Sequence, residues 1–211
     1  DASMAELRAS VGVWSKDAMQ WEVGIIEAVC PDCESFTDFT NFNDFPHSFR
    51  LLMQVAFGLD PIEAEKPLMY QGLSDRFYGP VDDVPFPGME HGIDFEGEYG
   101  VIVDHVPMGT DAAEAMKHIK LIVQINDWSL RAIAPVEMKT GFGWVQAKPA
   151  CSMAPFAVTP DELGDAWQDG RVCLDLEIDW NGKRFGAANG REMDVGFHDL
   201  IAHAAFTRDL V

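Results

Sequence analysis

The stretch DFEGEYGVIV, residues 94–103, limits the fold of this chain more than any other. Side chains two apart on an extended strand share a face, so Asp94, Glu96 and Glu98 line up on one side, directly before an apolar run built for a sheet. Like charges that close repel and raise one another's pKa unless a cation sits among them. Hard divalent ions such as Mg2+, Mn2+ or Ca2+ prefer such oxygen clusters. This face must therefore either be solvated or be gathered around a cation.

The rest of the chain supplies a frame for that strand. At 211 residues with 47% hydrophobic side chains it can bury a full core, read as one domain at 67–211 with an N-terminal loop and helix segment, 1–66, packing on it. PMGTDAAEAMKHI predicts a helix with Thr110 as N-cap and Glu114 one place beyond the capping-box position. It runs into KLIVQIND, whose β-branched residues and continuous apolar character suit a buried strand. Alternation around Asn181-Gly182 predicts a type I′ hairpin, and Phe197, Leu200, Ile201, Ala204 and Ala205 form a helical stripe. The expected class is α+β and strand-rich.

Charge narrows the partners. Lys and Arg total 15 against 35 Asp and Glu, a formal net charge of -20, which opposes binding to nucleic acid or to anionic membrane. No run approaches the roughly 18 apolar residues of a membrane span, and the start lacks a basic and apolar leader. The expectation is a soluble, cytoplasmic protein. Of Cys30, Cys33, Cys151 and Cys173 only the first two form a close pair, in CPDC, and no second Cys/His pair completes a zinc site. Free thiols are expected.

NDWSLR follows the buried strand and puts Asp127 at its end, where sites tend to be built. Alone, Asp127 reads as a turn or cap residue. Joined to Glu96 and Glu98 it makes an oxygen set sufficient for one octahedral cation, with water or substrate completing the shell. Lys148 and Arg131 taken singly read as an exposed lysine and a surface ion pair. His47, flanked by Phe45 and Phe49, reads alone as structural, as do His198 and His203, five apart on the last helix.

DFEGEYGVIV, NDWSLR and KPACSMAPFAVTPDEL, in this order and spacing, resemble the successive signatures of the fumarylacetoacetate hydrolase family, from about Pro67 to Arg208. The resemblance implies a mixed β-roll or sandwich with a few flanking helices. It implies a divalent-metal-dependent hydrolase, using Mg2+, Ca2+ or Mn2+, that cleaves a carbon–carbon bond in fumarylacetoacetate or a related acylpyruvate or β-diketone acid. Carried over by position, Glu96, Glu98 and Asp127 match metal ligands, and Asp38 of FTDF matches a further one. Arg131 would lie beside the metal, Lys148 would support developing negative charge, Tyr70 would contact substrate and His47 would activate water. A small keto-acid substrate and a homodimer are also implied.

The family pattern is not matched throughout. Arg50 stands where short members carry the Glu that orients the histidine, and a member would continue past Val211 into a GTISG-like segment. The expectation is a core truncated at its C-terminus. Two alternative readings follow: a non-catalytic, metal-binding remnant of the fold, or a decarboxylase or isomerase of a related keto acid.

Overall fold

The computed structural model describes residues 67, 69–73 and 76–211. The segment 1–66, with Cys30, Cys33, Asp38 and His47, lies outside the described residues.

The continuous apolar run forms the middle of the main sheet. Strand β3 (Ile119–Asn126) pairs antiparallel with β2 (Gly97–Val103) on one side and β5 (Ser152–Val158) on the other. Ile119 and Ile122 enter the larger core, whereas Val123 and Ile125 pack with Cys151 in a smaller cluster. One face of the strand, from Ile119 to Ile125, is buried or half-buried throughout, while the other buries Ile122 between exposed Lys120 and Gln124, so the run is less fully enclosed than its apolar character predicts.

Helix α1 (Ala112–His118) leads into β3, and the last helix, α3 (Phe197–Ala204), packs across α1. Phe197, Leu200 and Ile201 are the buried positions of α3, as the stripe predicts. Burying side chains of this size contributes about 1.5–3 kcal/mol each. The cap of α1 differs from expectation by one residue. Asp111 is the N-cap and accepts from the Glu114 N–H at 2.9 Å, while the Thr110 hydroxyl donates to the Pro107 carbonyl at 2.6 Å.

Strands β8 (Asp175–Trp180) and β9 (Lys183–Asn189) form the expected hairpin, with φ of 51° at Asn181 and 75° at Gly182, as a type I′ turn requires. The hairpin meets β2 beside Gly97, where an added Cβ would stand 2.8 Å from Ile178 Cδ1. The residue between the two glutamates thus faces away from them into close packing. Gly190 is tighter still, since a Cβ there would lie 2.1 Å from the Val172 carbonyl oxygen. Gly190→Ala is expected to cost about 1–3 kcal/mol of stability through forced backbone displacement; an unchanged thermal midpoint would show that the close approach is dispensable.

Two short pairs complete the frame that matters for the site. Strand β1 (Ile93–Asp94) pairs with β4 (Ser129–Leu130), and β4 is followed by α2 (Ala134–Thr140). Strands β6 (Trp167–Gln168) and β7 (Arg171–Val172) form a separate pair. The result is the strand-rich α+β class read from the sequence, and among the described residues no helix is long and apolar enough to cross a membrane.

Candidate functional site

The site forms where two antiparallel segments both leave the ladder. Asp94 pairs with Ser129 and Gly97 with Asn126, so DFEGE and NDWSL run side by side. Between these pairs, 95–96 and 127–128 fall outside any strand. There the Asp127 N–H donates to the Glu96 carbonyl at 2.9 Å, and the Glu96 N–H donates to the Asn126 side-chain oxygen at 3.1 Å. Glu96 and Asp127 stand at this break and Glu98 on the adjoining β2, and the three are buried, 3%, 0% and 0% exposed in that order. Each offers an oxygen within 4.8 Å of the others.

Of the three carboxylates expected to align on one strand, Glu96 and Glu98 do meet in the cluster, although Glu96 lies in the break rather than on a strand. Asp94 is drawn off by the Arg131 Nε at 2.8 Å and the Phe95 N–H at 2.9 Å. Its side chain is also only partly buried, unlike the two glutamates.

Cationic and polar donors surround the cluster. The Lys148 ammonium lies 2.6 Å from Glu96 Oε2 and 3.1 Å from Asp127 Oδ2, and Arg131 Nη2 lies 2.6 Å from Glu96 Oε1. The Ser129 hydroxyl donates to Glu96 Oε1 at 3.0 Å. Burial works to raise the Glu96 pKa, but Lys148 and Arg131, with hydrogen bonds from Lys148 and Ser129, hold it below the ordinary carboxylate range. On Asp127, the Tyr70 hydroxyl donates to Oδ2 at 2.5 Å and the Cys151 thiol to Oδ1 at 3.2 Å. Burial, then the Asp127 charge, pushes both Tyr70 and Cys151 upward, so each keeps its proton and remains a donor.

Such a cluster can hold a divalent cation. Its donors are all carboxylate oxygens, the hard type that Mg2+, Mn2+ and Ca2+ take, and their burial favours a counter-cation among them. The pocket already seats one cationic head, the Lys148 ammonium, between two of its carboxylates. Three carboxylates also leave coordination positions for water or a small acid.

Of the residues singled out from the sequence, the structure brings together Glu96, Glu98, Asp127, Arg131, Lys148 and Tyr70. Asp38 and His47 lie outside the described residues. Lys148 is buried and Arg131 partly so, which removes their readings as surface groups. Sequence reasoning missed Ser129 and Cys151, although both sit inside NDWSLR and KPACSMAP; their side chains complete the bonding of Glu96 and Asp127. It also missed Trp144, whose ring meets Tyr70 edge-on with centroids 6.4 Å apart.

Comparison with known proteins gives a consistent result. The family model described as "Fumarylacetoacetate (FAA) hydrolase C-terminal" matches residues 36–210. The 2,4-didehydro-3-deoxy-L-rhamnonate hydrolase of Sphingomonas sp. (strain SKA58) is 32% identical over 149 residues, covering 69% of this chain and 49% of that protein. The human mitochondrial oxaloacetate tautomerase FAHD2A is 25% identical over 146 residues, 65% of this chain and 43% of that protein. The chain thus spans about half the length of the curated relatives it matches. In three dimensions, a Yersinia pestis CO92 protein assigned to the fumarylacetoacetate hydrolase family superposes with a TM-score of 0.59 at 20% identity, over 71% of this chain and 67% of that one.

Proposed function

Because the chain belongs to the fumarylacetoacetate hydrolase family, we propose that it is a divalent-metal-dependent hydrolase that cleaves a carbon–carbon bond in fumarylacetoacetate or a related acylpyruvate or β-diketone acid. The observation that carries this reading is the convergence of Glu96, Glu98 and Asp127, buried, beside a buried lysine. These three side chains are the proposed ligands of Mg2+, or of Mn2+ or Ca2+. A bound divalent ion supplies Lewis acidity toward the oxygens of a 1,3-dicarbonyl.

The chain's own residues account for the rest of the chemistry. Arg131 and Ser129 keep Glu96 ionised and fixed in direction. Tyr70 and Cys151 fix the direction of Asp127 through hydrogen bonds to its two oxygens. Lys148, buried at the same carboxylates, is a fixed positive charge for the oxyanion that develops as the carbon–carbon bond breaks. His47 as the base that deprotonates the attacking water, and Asp38 as a fourth ligand, belong to this proposal on their sequence motifs alone. A homodimer belongs to it on family resemblance alone.

A second reading is keto–enol isomerisation, favoured by the similarity to an oxaloacetate tautomerase. It needs the same enolate-stabilising groups but no attack by water. The two separate in one experiment: protein with Mg2+ or Mn2+ is given acylpyruvates and oxaloacetate, loss of enol absorbance is followed, and products are resolved chromatographically. Hydrolysis yields two new acids from each acylpyruvate consumed, whereas isomerisation changes the absorbance with no new acid. Divalent-ion binding with no turnover of any compound at high protein concentration would leave the non-catalytic remnant as the reading.

A further inference from the structure

Lys148 reaches the carboxylates from a loop, and a lysine has long, freely rotating reach, so something must fix where its backbone starts. The loop leaves α2 through Gly141 and Gly143, both at positive φ (73° and 98°), and carries Phe142 and Val145 almost fully exposed. Neither feature would hold it. On the α2 side it is held by one side chain. The Glu137 carboxylate, on α2, accepts from the backbone N–H groups of Val145 (3.1 Å), Gln146 (2.8 Å) and Ala147 (3.0 Å), the three residues directly before Lys148. On the far side the Ala147 carbonyl accepts from the Leu130 N–H of β4 at 2.8 Å.

We propose that Glu137 is a positioning residue: by clipping 145–147 between α2 and β4, it delivers the Lys148 ammonium to Glu96 and Asp127 and sets the Trp144 ring against Tyr70. Successive N–H groups turned toward one anion form a concave nest, which a carboxylate fills with charge-assisted hydrogen bonds. Burial acts to raise the Glu137 pKa, and the three N–H donors outweigh it, so the group stays ionised to below the ordinary carboxylate range. The clip also explains the sequence order. Glu137 has no place in a metal-ligand motif, but it stands one helix upstream of a loop whose end must be located to within a hydrogen bond. The inference rests on the proposed function only for the consequence of moving Lys148; the clip itself does not require turnover.

The test is the reactivity of Lys148 toward a small amine-modifying reagent, read peptide by peptide in the mass spectrometer, with exposed Lys139 and Lys183 as internal references. In the unsubstituted chain Lys148 should react far more slowly than both references. Glu137→Ala should raise its rate about tenfold, the scale of losing hydrogen bonds to a charged acceptor, and leave Lys139 and Lys183 unchanged. Glu137→Gln, which keeps one carbonyl oxygen for the nest and has the better chance of a fully native fold, should give an intermediate rise. A Lys148 rate equal to that of the unsubstituted chain in both variants would overturn the proposal. So would a uniform rise at all three lysines, which reports general loosening. If the chain turns over an acylpyruvate, the same substitutions should lower kcat more than they change KM. Should it turn over nothing, the proposed function falls while the labelling result still decides the clip.

Discussion

Lys148→Met is expected to destabilise the protein in chelator by about 3–5 kcal/mol and, at the same time, to tighten its binding of Mg2+. The side chain is 4% exposed and contacts two carboxylates that are themselves 4% and 1% exposed. Methionine fills a similar volume but carries no charge, so the substitution leaves buried carboxylates without a cation that was attached to the chain. An added divalent ion supplies what was removed. Mg2+ should therefore raise the thermal midpoint of the variant by more than it raises that of the unsubstituted protein. If the ammonium and the metal ion used separate positions without influencing one another, the two increments would be equal, and the idea of a shared seat would be lost. Raising the salt separates direct exchange from mere repulsion at a distance, because exposed charges are screened within about 10 Å at 0.1 M whereas buried ones are screened far less. The difference in increments should survive. Turnover should move the other way, falling by about 10²–10³, the usual cost of removing one donor that stabilises an oxyanion.

The elements legible in the sequence were those decided by short-range physics. The Asn181-Gly182 turn was readable because both positions need positive φ and those residues tolerate it. Strand β3 was readable because its β-branched residues suit a pleated, largely buried surface, and Ile119, Ile122, Val123 and Ile125 are indeed buried. Two errors came from choices that neighbours in space settle. Thr110 and Asp111 are both good caps, and the choice falls to Asp111 once the Thr110 hydroxyl has the Pro107 carbonyl as acceptor. Asp94 shares alternation with Glu96 and Glu98, yet the pairing of β1 with β4 and the reach of Arg131 take it out of the cluster. No periodicity in DFEGE encodes a break at 95–96, because the break is made by NDWSL on the opposite strand.

That diverted carboxylate gives the sharpest test of the site. Glu98→Gln is expected to weaken Mg2+ binding by at least about 10²-fold, since changing groups that merely support a ligand already costs 10–100-fold and this substitution removes a proposed ligand's charge while keeping its shape. Asp94→Asn, on the same run of sequence and with the same loss of one negative charge, should leave affinity within a few-fold. The Asp94 carboxylate is bound by Arg131 and the Phe95 N–H, and shares that guanidinium with Glu96. Titration calorimetry on both variants reads the difference directly, with no dependence on knowing the substrate. A pocket that attracted ions only through diffuse acidity would respond to the two substitutions alike. A pocket built from the three converging oxygens must distinguish residue 98 from residue 94, because the fold places one of them inside it, fully buried, and the other against an arginine at its edge.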